Sequence, residues 1–181
     1  MKKNKIFYLL FIALFFFSNV EKSVFANEVS KEIDISKYRS ISELLQFDLS
    51  KCDEQTCLKY VKLAVKNKIP YMWAMDMSSP LIEATKKDYY KLTKYLIKHD
   101  KGDFINVQAS QFGPPLFWAI QNGNVKMVKL LLKNGADADG HTCEHLSYFY
   151  HVQFFIDEKR YSEEIGNEIK KLLLKYSKNS K

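Results

Sequence analysis

Two stretches of this chain, 67 residues apart, carry nearly the same letters: Val61-Lys62-Leu63-Ala64-Val65-Lys66-Asn67 and Val128-Lys129-Leu130-Leu131-Leu132-Lys133-Asn134. That distance is two periods of about 33 residues, a length that a pair of helices and a connecting loop fills. One whole unit therefore belongs between them, and it is there. Leu92 to Lys98 pairs with Met127 to Lys133, and Ser79-Pro80-Leu81-Ile82-Glu83-Ala84 pairs with Pro114-Pro115-Leu116-Phe117-Trp118-Ala119, both at an offset of 35. A unit this short cannot bury its own apolar faces, so the pattern demands stacking on neighbours.

The clearest unit runs from Gly113 to Gly140. Pro115-Leu116 opens a short helix, since proline is tolerated where the first N–H has no partner. Ala119 keeps that helix thin, and Gly123-Asn124 turns the chain. Val128, Leu130, Leu131 and Leu132 then carry a second helix until Gly135 stops it. Over its full length this unit resembles an ankyrin repeat. The resemblance implies an all-α solenoid of stacked helix-turn-helix units with finger loops, which binds other proteins through the fingers and inner helices. Two well-formed repeats are expected, at 72–106 and 107–139, flanked by a partial unit at 41–71 and a degenerate capping unit at 140–177, with a tail at 178–181. The last unit lacks the Pro-Leu opening, is aromatic from Leu146 to His151, and has an extended loop near Asp157 to Tyr161. Asp88 stands at the turn position that Gly123 holds one unit later, and Met77 and Phe112 replace finger glycines.

Residues 1–26 read as a secretory leader: Lys2, Lys3 and Lys5, an apolar run from Ile6 to Phe17, and Val24-Phe25-Ala26 as a cleavage site. The run is shorter than the roughly 18 to 20 residues that span a bilayer. The expected location is outside the cytoplasm, periplasmic or secreted, with a poorly ordered lead-in at 27–40. Four lysines and Glu21 leave with the leader, so the net charge falls from +7 to +4. Mild basicity of that size does not point to nucleic acid. Export would allow a disulfide between Cys52 and Cys57 if the polar segment between them folds back as a loop. If the same residues begin a helix, the two diverge.

The resemblance places partner contacts at Trp73, Met75 and Asp76 in one finger and Gln108, Ser110 and Gln111 in the next. Lys86, Lys87, Gln121 and Asn122 follow on the inner helices. Trp118 is expected to pack between repeats. Aligning the second helices exposes another pattern, in which Lys59, Lys62 and Lys66; Lys91, Lys94 and Lys98; Lys126, Lys129 and Lys133; and Lys171 and Lys175 recur three or four apart. Each set lies on one helical face, giving a basic ladder on the convex side. It reads either as a solvated surface or as a contact for anionic lipid or an acidic polymer. His141, Cys143 and His145 would point to one side only in an extended segment, so no metal or other cofactor is expected. Without a phosphate loop or nucleophile elbow, the reading is a monomeric, non-enzymatic protein-binding chain, of an inhibitor or immunity type by analogy.

Overall fold

A computed structural model describes residues 33–72, 78–99, 104–108, 113–142 and 145–178. The leader, Trp73, Met75, Asp76, Met77, Lys101, Gly102, Ser110, Gln111, Phe112 and Cys143 lie outside the described residues. The chain divides into units Met1–Asp34 and Ile35–Lys181, and everything below concerns the second.

After a 3₁₀ turn at Ile35–Lys37, eight α-helices follow among the described residues. Four are inner helices: α1 (Ile41–Gln46), α3 (Pro80–Lys86), α5 (Pro115–Gln121) and α7 (Tyr148–Asp157). Four are outer: α2 (Glu54–Lys66), α4 (Tyr90–His99), α6 (Val125–Lys133) and α8 (Glu163–Tyr176). Inner helices pack in the order α1, α3, α5, α7, and each packs on the outer helix that follows it. The fold is the all-α solenoid that the repeats implied.

Local chemistry sets these boundaries. Ser40, Ser79 and Ser147 cap their inner helices through side-chain oxygens that accept from backbone N–H groups three residues on, whereas Pro114 caps without a side-chain bond. Five helices end in the same way. The C″ and C′ amides fold back onto C3 and C2 carbonyls around a residue of positive φ, the Schellman arrangement. That residue is Asp88 (φ 60°), Gly123 (φ 65°) and Lys159 (φ 57°) after α3, α5 and α7, and Lys68 (φ 58°) and Gly135 (φ 96°) after α2 and α6. The equivalence of Asp88 and Gly123 thus holds at the level of backbone angle. Lys68 and Lys159 carry the same conformation without any sequence sign of it.

The core runs through the stack as one apolar seam. Ile41, Leu44, Leu45, Leu81, Ile82, Leu92, Leu96, Leu116, Ile120, Met127 and Leu131 are all fully buried. Side chains between units supply the polar counterpart. Lys87 Nζ donates to Leu49 O at 2.9 Å, and Asn122 Nδ2 donates to Thr85 O at 3.1 Å and Lys86 O at 3.3 Å. Both residues stand eight positions after their inner-helix caps, so the same position reaches back to the preceding unit. Tyr89 Oη also donates to Cys52 O, and Asn106 exchanges two bonds with the Gly135–Asp137 turn, at 3.0 and 2.9 Å.

The cysteines follow the helical alternative. Asp53 caps α2 by accepting from Gln55 N and Thr56 N, so Cys52 precedes the cap and Cys57 lies within the first turns. Both are free, buried thiols, with Cys57 Sγ 3.5 Å from Leu49 O and 3.8 Å from Cys52 O. Burial pushes the Cys57 thiol up to about 11. The described residues on either side of 143–144 likewise form a turn. Thr142 N donates to Leu146 O and His145 N to Thr142 O, which closes a turn with His145 at φ 57°. His141 and His145 are therefore set on a turn, and Cys143 lies outside the described residues.

Candidate protein-binding surface

Counting from the helix caps gives each inner-helix position a fixed direction. Three residues after the cap, Ile82 is fully buried, and Phe117 is covered by His151 and Phe155 of the next unit at ring distances of 5.0 and 6.3 Å. This position looks toward the following repeat. In α7, the last inner helix among the described residues, the same position is Tyr150, and it is 53% exposed. Its ring stacks on Phe154 at 6.5 Å and 12°.

Four and seven residues after the cap, the inner row turns toward solvent in its central units. Glu83 and Lys86 form an ion pair at 3.8 Å, and the Lys86 ammonium stands 4.9 Å above the Trp118 ring. Trp118 is half-buried. Its indole N–H donates to Gly113 O at 3.1 Å, and its ring meets Phe117 edge-on at 5.6 Å. The indole is thus oriented from one side while its other face meets a cation, an arrangement worth about 0.5 to 1 kcal/mol at an exposed site. Gln121 follows on the same row. Phe47 and Phe154 occupy the seventh position in the first and last units, at 65% and 42% exposure.

The anticipated contact residues divide clearly. Lys86 and Gln121 lie on this row with Trp118. Lys87 and Asn122 spend their polar groups on the preceding unit, and Gln108 Nε2 donates to His141 O at 2.7 Å, across to the next. Those three tie units together. Phe47, Tyr150 and Phe154 are exposed here although nothing in the family resemblance pointed to them as surface aromatics. Counting seven residues from each cap would have flagged Phe47 and Phe154, because the core has no use for an aromatic at that position.

The last unit is closed by buried aromatic and polar groups. Tyr148 is raised well above the usual phenol range by burial, with Asp137 adding to it. His151 Nε2 and Thr142 Oγ1 lie 3.2 Å apart and satisfy one another in the core. His141 and His145 rings lie 5.4 Å apart on the exposed loop.

Stacked helical hairpins with a rigid core and a partly open polar and aromatic inner row define a repeat scaffold for macromolecular recognition. The chain belongs to the ankyrin-repeat family: the family model described as ankyrin repeats (3 copies) matches residues 43–142. Comparison with curated proteins and with solved structures returns no match. Ankyrin repeats make the chain a protein–protein interaction module, of a kind that is generally non-catalytic.

Proposed function

We propose that the chain is an exported binder that acts by occupancy, seating a folded protein partner on its inner row. Trp118 beneath Lys86 is the observation that carries this reading. A half-buried, hydrogen-bonded indole loses little freedom on binding, as suits residues that dominate interfaces. Gln121, Glu83 and exposed Phe47 extend the row, and the finger residues Trp73, Met75, Asp76, Ser110 and Gln111 belong to the same proposed surface. The leader pattern at 1–26 supports export, and a small exported binder suits an inhibitor or immunity role against a secreted enzyme or toxin.

Site-directed photo-crosslinking in the native organism tests the reading. A benzophenone side chain at Gln121 should yield a discrete adduct with one protein, and the same group at exposed Lys129 on the outer row should not. Adding Trp118→Ala should remove the Gln121 adduct while far-UV circular dichroism stays unchanged. Adducts from Lys129 alone, or an adduct indifferent to Trp118, would move the interface elsewhere.

A further inference from the structure

We infer that the outer row is a second binding face, a lattice of lysines that holds a linear polyanion bearing phosphate or sulfate groups along its length. The lattice appears when the outer helices are aligned by their C-terminal ends. Lys66, Lys98, Lys133 and Lys175 form one row; Lys62, Lys94, Lys129 and Lys171, four residues earlier, form the next. Seven residues earlier stand Lys59, Lys91, Lys126 and Glu168. Eleven of these twelve positions are lysine, and all eleven lysines are exposed.

A solvated surface of mixed sign would neutralise such a field, and the two central outer helices do not. Helices α4 and α6 contain no acidic residue. Among the described residues no lattice lysine lies within 4.0 Å of a carboxylate, the two ion pairs found there being Arg39–Glu43 and Lys86–Glu83. Glu54, at the start of α2, stands beside these lysines with its Oε1 already engaged, accepting from the backbone amides of Lys91 and Leu92.

Tyrosine rings of α4 engage two of the lattice ammonium groups from one side. Lys62 of α2 stands 5.7 Å over Tyr95 of α4, and Lys126 of α6 stands 4.2 Å over Tyr90 of the same helix. Both contacts cross between outer helices, so they order the lattice along the stack while leaving ammonium N–H groups to face an anion. Between α2 and α4 the surface opens into a cleft of about 560 Å³, lined by Lys59, Lys62 and Lys91 with Glu54, Gln55 and Leu58. Three lattice lysines therefore line one opening.

The shape of the lattice selects the ligand class. Among the outer helices α2 packs on α4 and α6 on α8, while Lys126 over Tyr90 spans the wider step between α4 and α6. With packed helices about 8–10 Å apart and a rise of about 1.5 Å per residue, four helices and two turns make a strip at least roughly 30 Å long and about 10 Å wide. A single small anion would use one corner of it, and a chain of anionic groups would follow its length. An anionic membrane is less well matched, because interfacial binding needs an apolar face to insert beside the charges. On the described outer helices the exposed large apolar side chains are Leu63 and Leu174, on the first and last of the four.

The test titrates the full chain with long-chain inorganic polyphosphate, dextran sulfate, orthophosphate, and vesicles of phosphatidylglycerol in phosphatidylcholine, each by calorimetry at several salt concentrations. Polyphosphate or dextran sulfate should bind, with the stronger of the two naming the group. Four to seven neutralised charges give a slope of log K against log salt of about −3 to −5, using the value for flexible single strands. Lys94→Glu with Lys129→Glu, at the lattice centre, should weaken binding at least tenfold, and Lys159→Glu, on the α7–α8 loop, should not. Lys94→Gln with Lys129→Gln gives a milder loss should the reversal disturb folding. Absence of polymer binding by the unmodified chain at low salt, an unaltered affinity in the folded double variant, or binding to vesicles alone would overturn the inference.

Discussion

Gly123 offers a sharp test of how the repeats are joined, because Gly135 provides a control in the same cap geometry. Both residues sit at the left-handed position of a Schellman cap. An L-residue there costs about 1–2 kcal/mol, offset by about 0.5–1 kcal/mol because replacing glycine narrows the unfolded ensemble. Backbone strain alone therefore predicts a loss of about 0.5–1 kcal/mol for either Gly→Ala change. The two sites differ in what a Cβ would meet. At Gly135 nothing lies within 4 Å, whereas at Gly123 the new atom would fall 2.7 Å from Tyr161 Cδ1 and 3.1 Å from its Cγ. That ring is poorly placed to retreat, being packed edge-on against Phe155 at 6.2 Å with its hydroxyl buried. Overpacking of this kind adds about 1–3 kcal/mol, so Gly123→Ala should lose roughly 1.5–4 kcal/mol in all. Urea unfolding followed by far-UV circular dichroism reads both variants directly, provided the slope m is unchanged. Equal losses at the two positions would refute the claim that Tyr161 clamps the α5–α6 turn.

Lys68→Gly and Lys159→Gly should each stabilise the chain by about 0.5–1 kcal/mol, since glycine relieves the left-handed strain and neither lysine side chain has a hydrogen bond or ion pair to lose among the described residues. Asp88→Gly should come out near zero in the same urea series, because Asn124 Nδ2 donates to Asp88 Oδ1 at 2.5 Å and that bond offsets the gain. Burial holds Cys57 protonated to about 11 and Tyr161 to about 12. Unfolded thiols and phenols ionise earlier, so the unfolded state binds fewer protons and stability should fall as pH rises from about 9 to 12, with no such change below. Cys57→Ala should flatten the lower part of that fall, and an identical profile would count against it. At pH 7.5 iodoacetamide should leave Cys52 and Cys57 unmodified in the folded chain and label both in urea, as peptide mapping would report; native labelling or a bond between them would contradict the buried free thiols.

The parts of this fold that were legible in sequence are those in which a residue's role is set by its own helix. Pro80 and Pro115 open helices because of a missing N–H, and the lysine ladder appears because spacings of three and four residues define a helical face whatever lies beneath it. Asp88 could be matched to Gly123 because aspartate tolerates the left-handed turn. Lys68 and Lys159 could not, since a lysine gives no local sign of positive φ; the cap imposes that angle once the helices on either side are packed. Lys87, Gln108 and Asn122 failed to declare themselves for a related reason. Each is polar and near the inner face, which is what a contact residue looks like. Their partners are carbonyls of a neighbouring unit, and those come within reach only after stacking fixes the distance between units.

The same dependence on stacking separates the two faces. On the inner row, exposure depends on the neighbouring unit: Phe117 is covered by His151 and Phe155 of the next one, while Tyr150, at the same position in the last described unit, is open. A contact surface there is a property of the finished stack, and its aromatic members serve packing and recognition by turns. On the outer row each helix contributes its lysines independently of its neighbours. Stacking adds only alignment, turning four separate helical faces into continuous rows. Loss of one unit should therefore disrupt inner-row recognition by removing a neighbour that shapes the next position, while shortening the outer lattice by one rung and reducing its salt dependence in proportion.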